Sequence, residues 1–414
     1  MQTFFTPEQL ENPKLAVADE ILRKCVHCGF CTATCPTYVL LGDENDSPRG
    51  RIYLMKEMLE QGRPASAQDV LHIDRCLSCL SCMTTCPSGV NYMHLVDQAR
   101  EHVEETYRRP LFERLMRNTL AFVMPRPRLF RLSLMAARVA KLLGPLTSGR
   151  VKAALDLAPA TLPRPMAEGR PGTYPAHGPR KGRVALLQGC VQGVLAPEIN
   201  AATIRLLNHL GYEVVVNGGE ACCGSLTHHM GKEQDALARA RRMIEGWSAL
   251  DAEAIIITAS GCGTTVKDYG FLFRGEPALA QQAAAVSAKA CDISEFLARL
   301  QLPPGKGRGR VAYHAACSLQ HGQQVKTLPQ QLLRQAGYEV VEPQDAHLCC
   351  GSAGTYNILQ PELSAQLRGR KSASLDVLGA AVIATGNIGC ITQLQAATAA
   401  PVRHITELLA EAYL

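Results

Sequence analysis

Apolar positions recur along this chain at two different periods. Over roughly the first hundred residues the period is helical. Ile52, Met55, Leu59 and their neighbours sit at helical spacing within Arg51–Glu60, and Gln61-Gly62 supplies a stop. Tyr92 to Tyr107 reads as a second helix. Further on, Leu111, Leu115, Met116, Leu120, Phe122 and Val123 alternate with Arg114 and Arg117. After Pro125-Arg126-Pro127 a similar series runs from Leu129 to Leu143 with Arg131, Arg138 and Lys141. Two amphipathic basic helices are expected, packed on the domain with their arginines in solvent. A membrane-surface or partner-docking element is the sharper alternative. From Leu157 to Lys181 prolines stand at 159, 163, 165, 171, 175 and 179, the mark of an extended linker without a core.

Beyond residue 182 the period changes. Short apolar runs, Val184–Leu187, Val214–Val216 and Ile255–Thr258, alternate with helical stretches such as Ala201–Leu210 and Ala236–Trp247. That alternation predicts parallel α/β packing. The unit occurs twice. Arg183-Val-Ala-Leu-Leu-Gln-Gly-Cys190 is echoed by Arg310-Val-Ala-Tyr-His-Ala-Ala-Cys317, and Leu210-Gly-Tyr-Glu-Val-Val215 by Ala336-Gly-Tyr-Glu-Val-Val341. Cys222-Cys223-Gly224-Ser225 is echoed by Cys349-Cys350-Gly351-Ser352, and the run ending at Cys262 by the run ending at Cys390. A glycine-rich segment, Pro303 to Arg310, separates the copies and reads as a hinge. The expected architecture is α+β and multidomain. Residues 1–105 form a helical cluster domain, 106–181 the basic helices and proline-rich linker, and 182–302 and 303–414 two Cys-Cys-Gly domains.

Composition sharpens this. The 414 residues carry a net charge of +6, but ten Lys or Arg and a single acid, Glu113, fall between Arg108 and Arg150, leaving the remainder near neutral. That basic stretch lacks interleaved aromatics, so nucleic acid is not an expected partner. The longest uncharged stretch, Val377 to Val402, is broken by Gly379, Gly386 and Asn387, and reads as strand, loop and helix start rather than a membrane span. The opening residues do not resemble a signal peptide, and a reducing cytoplasm suits the cysteine usage.

Seventeen cysteines carry the chemistry. Cys25, Cys28, Cys31 and Cys35-Pro36 follow C-x2-C-x2-C-x3-C-P, and Cys76, Cys79, Cys82 and Cys86-Pro87 repeat it. This is the spacing of two-cluster bacterial ferredoxins, in which the fourth cysteine ligates the other cluster. The expected 4Fe-4S ligand sets are Cys25, Cys28, Cys31 and Cys86 for one cluster, and Cys76, Cys79, Cys82 and Cys35 for the second. Soft thiolates also select zinc, but two complete runs with both prolines weigh against it. Each α/β copy gathers four more cysteines at the strand ends where sites form in parallel sheets: Cys190, Cys222, Cys223 and Cys262, then Cys317, Cys349, Cys350 and Cys390. Buried cysteines can be plain packing. Matched placement in two copies favours a further cluster, a metal, or a redox-active thiol set. Cys291 has no counterpart and reads as packing. His27 sits inside the first run as a candidate for tuning a cluster by hydrogen bonding. His228, His229, His314, His321 and His347 lie near the repeat cysteines, where a loop histidine is expected at the surface and only the clustering favours ligation.

These strings carry a resemblance. Cys25-Val-His-Cys-Gly-Phe-Cys-Thr-Ala-Thr-Cys-Pro-Thr-Tyr38, Ser47-Pro-Arg-Gly-Arg-Ile-Tyr53, Thr258-Ala-Ser-Gly-Cys262 and Leu348-Cys-Cys-Gly-Ser-Ala-Gly-Thr-Tyr356 resemble the glycolate oxidase (glycolate dehydrogenase) iron–sulfur subunit family. More broadly, a double ferredoxin module with two Cys-Cys-Gly domains resembles the iron–sulfur subunits that partner flavin dehydrogenases and heterodisulfide reductases. The resemblance implies an electron-transfer subunit of an oxidoreductase complex. FAD-binding partner subunits would oxidise glycolate to glyoxylate, and electrons would pass on toward a quinone or another acceptor. Equivalent subunits for glycerol-3-phosphate or lactate dehydrogenation, or a heterodisulfide-reductase-like complex, are the alternative. It implies 4Fe-4S ligation by the eight N-terminal cysteines, and no catalytic residue on this chain. Location is expected in the cytoplasm, with peripheral contact on the cytoplasmic face of the inner membrane as a candidate. Cys-Cys-Gly domains with non-cubane clusters often end in C-x-x-C; here Thr265 and Gln393 occupy the last position. Gly261-Cys262-Gly263 is only half a dinucleotide fingerprint, which puts the flavin on a partner.

Overall fold

Helix starts and stops in the first hundred residues are written in local chemistry. The computed structural model describes residues 1–141 and 147–414. Pro36 opens the helix Pro36–Leu41 directly after Cys35. Ser47 caps the helix Pro48–Gln61 by accepting from the Gly50 amide, and Gly62 ends it in a left-handed turn. Asn91 caps Tyr92–Thr106. These helices bury Leu22, Met55, Met58, Ile73, Leu95 and Val96 in one core, and the cysteine loops hang from its edge.

The repeats build two sheets. The first has the order β1-β3-β2-β4-β5, with β1 at Gly172–Tyr174, β2 at Gly182–Leu186, β3 at Tyr212–Val216, β4 at Ala254–Ile257 and β5 at Ala290–Asp292. The second has the order β7-β6-β8-β9, with β6 at Arg310–Tyr313, β7 at Glu339–Val341, β8 at Val382–Thr385 and β9 at Val402–His404. All pairings are parallel except β1 with β3. In each sheet the chain leaves the central strand first to one side and then to the other, which opens a crevice at the strand ends. The two sheets share a core: Val184, Leu206 and Phe296 of the first repeat pack with Val311, Leu333 and Leu409 of the second. Cys291 lies in this core on β5.

Three expectations change. The proline-rich segment is not wholly without structure, because Gly172–Tyr174 pairs antiparallel with Val214–Val216 and closes the edge of the first sheet. The segment Pro303 to Arg310 is not a free hinge. Its Gly305 and Gly307 amides donate to Gln335 and Ala336, and a side chain at 307 would stand 2.6 Å from the Tyr338 ring. The basic helices, Leu111–Val123 and Pro127–Ala140, do not turn all their arginines outward. Arg109 and Arg117 are buried. Arg109 pairs with Asp74 at 2.5 Å, and Arg117 donates to the Met230 carbonyl at 3.1 Å. The outward face instead shows Leu111, Leu115, Phe122, Leu132 and Val139, each more than half exposed. Leu142 and Leu143, expected at the end of the second basic helix, lie outside the described residues. Among the described residues no helix is long and apolar enough to cross a membrane.

The cluster domain sits on the repeats through buried ion pairs. Asp97 lies 3.3 Å from both His228 and His229, and His94 lies 2.9 Å from Asp268 while stacking on Phe271. Burial works against the Asp97 carboxylate, but His228 and His229 hold its pKa well below 3.8. Burial also works against the His228 cation, yet Asp97 lifts its pKa above 6.5. The Asp97 contribution is therefore present above the ordinary carboxylate range and fades in acid. The His228 contribution is complete below 6.5 and fades as pH rises through the lifted value. The melting temperature of the full chain should fall by a few degrees as pH rises above that range. His228→Gln should flatten this alkaline limb; an identical limb in the variant would show that the pair does not set it.

Candidate metal centres and the cavity between the repeats

The first two cysteine runs fold against each other so that each cavity draws on both. Cys25, Cys28, Cys31 and Cys86 line one cavity, together with Cys82. Cys35, Cys76, Cys79 and Cys82 line the other. Cys82 stands in the wall between them. The loops turn sharply, with His27, Ser78 and Leu80 at φ of 54°, 49° and 62°. Donors point at the sulfurs. The Ser78 amide approaches Cys76 Sγ at 3.4 Å, the Tyr92 hydroxyl approaches the same sulfur at 3.7 Å, and Arg51 approaches Cys35 Sγ at 3.8 Å. Burial pushes the Cys79 and Cys82 thiols well above their ordinary pKa, with neighbouring Cys35 and Cys76 adding to the shift. Four or five soft donors crowded around each cavity suit iron and sulfide far better than free thiols.

Arg51 lines the second cavity, a placement that spacing did not reveal. It is 1% exposed, donates to the His72 carbonyl at 2.6 Å and to Thr37 at 3.0 Å, and pairs with Asp46 at 3.1 Å. Burial opposes its charge, but Cys76, Tyr92, Cys35 and Asp46 hold its pKa above the ordinary guanidinium value. His27, by contrast, is exposed and meets Tyr53 edge-on.

In each repeat the Cys-Cys-Gly turn has the same geometry. Gly224 and Gly351 both sit at φ of 88°, and a Cβ there would reach the Ala236 or Ser364 carbonyl oxygen at 2.7 or 2.8 Å. Only glycine suits both demands. The turn aims the Gly224 amide at Cys222 Sγ (3.5 Å) and the Gly351 amide at Cys349 Sγ (3.4 Å). Cys262 and Cys390 lie in the first turn of the helices Ser260–Lys267 and Ile388–Gln395, directly after β4 and β8. All eight repeat cysteines line one cavity of about 220 Å³ between the two sheets. Cys76 and Leu77 of the cluster domain also line it, and Cys79 packs with Cys317 and Cys349. Arg117, Arg150 and Glu113 of the basic segment complete its wall. Acceptance from Cys190, Cys223 and the Gly224 amide, with Arg239 nearby, holds the Cys222 thiol well below its ordinary pKa despite burial.

Known proteins match this organisation. Residues 24–90 match the 4Fe-4S dicluster domain family, and residues 184–267 and 311–395 each match the cysteine-rich domain family. The glycolate oxidase iron-sulfur subunit of Escherichia coli is 43% identical over 417 residues, covering 100% of this chain and 99% of that protein. The chain belongs to the glycolate oxidase iron–sulfur subunit family. A Bacillus subtilis protein named "Probable glycolate oxidase iron-sulfur subunit" is 34% identical over 94% of this chain and 92% of its own length. Lactate utilization protein A of an Exiguobacterium species is 29% identical, over 55% of this chain and 97% of its own length.

The histidines near the repeat cysteines are less exposed than loop histidines are expected to be. His321 is buried and lies 2.8 Å from Thr84 of the cluster domain, and His228 joins the Asp97 pair. His229 lines the large cavity, while His347 is half-buried and accepts at its carbonyl from His321 at 3.1 Å. His314 is 1% exposed and stands beside Cys350 and Cys390. The Arg51 network yields a stability test. Arg51→Met leaves buried Asp46 with Arg75 alone as a cationic partner and the His72 carbonyl and Thr37 short of a donor, and should destabilise the full chain by about 1–3 kcal/mol. Arg51→Lys should recover only part, because an ammonium cannot span Cys35, Thr37 and Asp46 together. Denaturant midpoints measure both; wild-type stability in Arg51→Met would remove Arg51 from its role.

Proposed function

We propose that this chain is the electron-transfer subunit of a glycolate-oxidising complex, taking electrons from an FAD-binding partner that converts glycolate to glyoxylate. The observation that carries this reading is the pair of cysteine-lined cavities that share Cys82, the second of which abuts the repeat cavity through Cys76 and Cys79. In this reading Cys25, Cys28, Cys31 and Cys86 hold one 4Fe-4S cluster, and Cys76, Cys79, Cys82 and Cys35 hold the other. When bound, such clusters accept and release single electrons. The chain's own residues fix the ligands, keep water out with Ile52, Val90 and Tyr92, and offset sulfur charge with Arg51. Cys28 is exposed and flanked by Val26 and Phe30, 65% and 64% exposed, which offers an apolar landing surface to the flavin subunit. Glycolate as the substrate rests on the names of the two full-length relatives; the lactate-related protein covers a little over half of this chain.

Crossed ligation separates this reading from two self-contained sites. Full-length protein purified without oxygen should carry about eight irons in its N-terminal domain. Cys86→Ser should damage the centre held by Cys25, Cys28 and Cys31, and Cys35→Ser the other, as resolved by electron paramagnetic resonance. Damage confined to the run that carries the mutation would sink the crossing.

We further propose that the outward face of the basic helices rests on an anionic lipid surface at the cytoplasmic side of the membrane. Leu111, Leu115, Phe122, Leu132, Met135 and Val139 form the apolar face, and exposed Arg108, Arg114, Arg128 and Arg138 lie among them. Apolar side chains with arginines beside them match the boundary between acyl chains and acidic headgroups. Each arginine near such a surface contributes on the order of 1 kcal/mol. Changing those four to Glu should abolish flotation of the full chain with acidic vesicles and leave its iron content unchanged. Equal flotation of variant and wild type would reject the lipid, and protection of this face only in the assembled complex would assign it to a protein partner.

A further inference from the structure

One buried position at which the two repeats differ lies beside their cysteines. Where the first repeat continues from β2 into Leu187, the second continues from β6 into His314. Leu187 packs in an apolar cluster with Cys223 and Ile257. His314 is buried just as deeply, yet neither Nδ1 nor Nε2 has a hydrogen-bond partner. Leaving a buried polar atom unpaired is unfavourable. The position is well fixed: the His314 amide donates to the Ala384 carbonyl on β8 at 2.8 Å. A ring nitrogen of His314, Cys350 Sγ and Cys390 Sγ all lie within 4.8 Å of one another. Among the described residues the first repeat has no such three-donor group.

We propose that His314, Cys350 and Cys390 bind one metal atom through one imidazole nitrogen and two thiolate sulfurs, making a mixed-donor centre in the second repeat that the first repeat lacks. Nitrogen and thiolate donors together select zinc or iron. The atom is either a lone ion or the iron at the edge of a cluster, and both share this coordination. Binding satisfies one of the two orphaned nitrogens. Charge is balanced locally as well, since Lys371 is buried beside Cys350, Cys349 and Cys390 and donates to the Asp345 carbonyl at 2.7 Å. Asn387 donates to Cys390 Sγ at 3.6 Å and holds that ligand in place. Exchanging thiolate for imidazole raises the potential of an iron–sulfur centre. An iron occupant would therefore make the second repeat the more oxidising of the two, on the side where Cys79 packs against Cys349.

The test uses full-length protein purified without oxygen, as wild type, His314→Leu and His314→Cys. Iron, zinc and acid-labile sulfide are measured for each. For iron, nitrogen coupling is sought by pulsed electron paramagnetic resonance. For zinc, exchange with cobalt(II) should give sulfur-to-cobalt absorption. Wild type should hold metal beyond the about eight irons of the N-terminal domain. His314→Leu, which restores the first repeat's residue, should lose that metal or bind it at least tenfold more weakly, with N-terminal cluster spectra unchanged. His314→Cys should keep the metal without nitrogen coupling, which separates ligation from misfolding. Sulfide accompanying the extra iron identifies a cluster, and zinc without sulfide a lone ion. No extra metal in wild type, or unaltered metal and spectra in His314→Leu, overturns the proposal. The inference needs only the repeat's donors, so loss of the N-terminal clusters or of glycolate activity would strike the functional reading and leave this one standing.

Discussion

Sulfur ligands are negative when they bind metal, and sulfur held away from water has to be matched by nearby positive charge. Most of this chain's architecture answers that requirement. Three buried cations stand beside three cysteine groups: Arg51 at Cys35, Arg239 near Cys222, and Lys371 near Cys350 and Cys390. Each is itself held by fixed acceptors, some local and some twenty or more residues away. Arg51 takes Asp46 and the His72 carbonyl, Arg239 takes Glu220 and Asp235, and Lys371 takes the Asp345 carbonyl. A buried cation with a fixed partner does not drift into solvent when the sulfur charge changes. That suits centres that gain and lose an electron without moving.

The same logic explains why the basic segment faces inward. Arg109, Arg117 and Arg150 tie together Asp74, Glu104 and Glu113, and they also reach the Met230 and Leu359 carbonyls of the two repeats. Three regions of the chain are thus fastened around one thiol-lined cavity. Burying Arg117 fixes the rotation of the helix Leu111–Val123, and Leu111, Phe112, Leu115 and Phe122 are left facing out. An exposed apolar face is thus the consequence of an internal electrostatic demand, and a surface of this kind on a subunit of a larger complex marks contact.

How much was legible in the sequence follows the range of the interactions involved. Cysteine spacing is local, so the loops, the prolines that end them and the matched Cys-Cys-Gly turns could be read directly. Helix caps such as Ser47 and Gly62 were similarly accessible. Arg51 was not, because its partners come from positions 46 and 72 and no periodicity joins them. The basic helices were recognised as amphipathic, but period alone does not say which face is buried when arginine has a carboxylate waiting for it. The strand Gly172–Tyr174 was hidden by prolines on either side, which edge strands tolerate. His314 looked like any loop histidine until the parallel pairing of β6 with β8 set it beside Cys390.

Duplication of a unit normally produces two equal halves, and here the Cys-Cys-Gly turns keep that equality although the first sheet has five strands and the second four. The Cys-Cys-Gly turns have the same φ, the same close approach and the same amide-to-sulfur contact. The side chains depart from it on one side only. The second repeat, not the first, packs its cysteines against Cys79, and among the described residues only it brings an imidazole within metal-binding distance of two of its sulfurs. A carrier with two identical terminal sites would divide electrons between them without preference. With the proposed centre in place, unequal sites on a common cavity would give the chain a direction, from the exposed Cys28 end through the paired cavities to the second repeat. Sequence duplication supplied the scaffold, and a single change from leucine to histidine at a strand end is enough to break its symmetry.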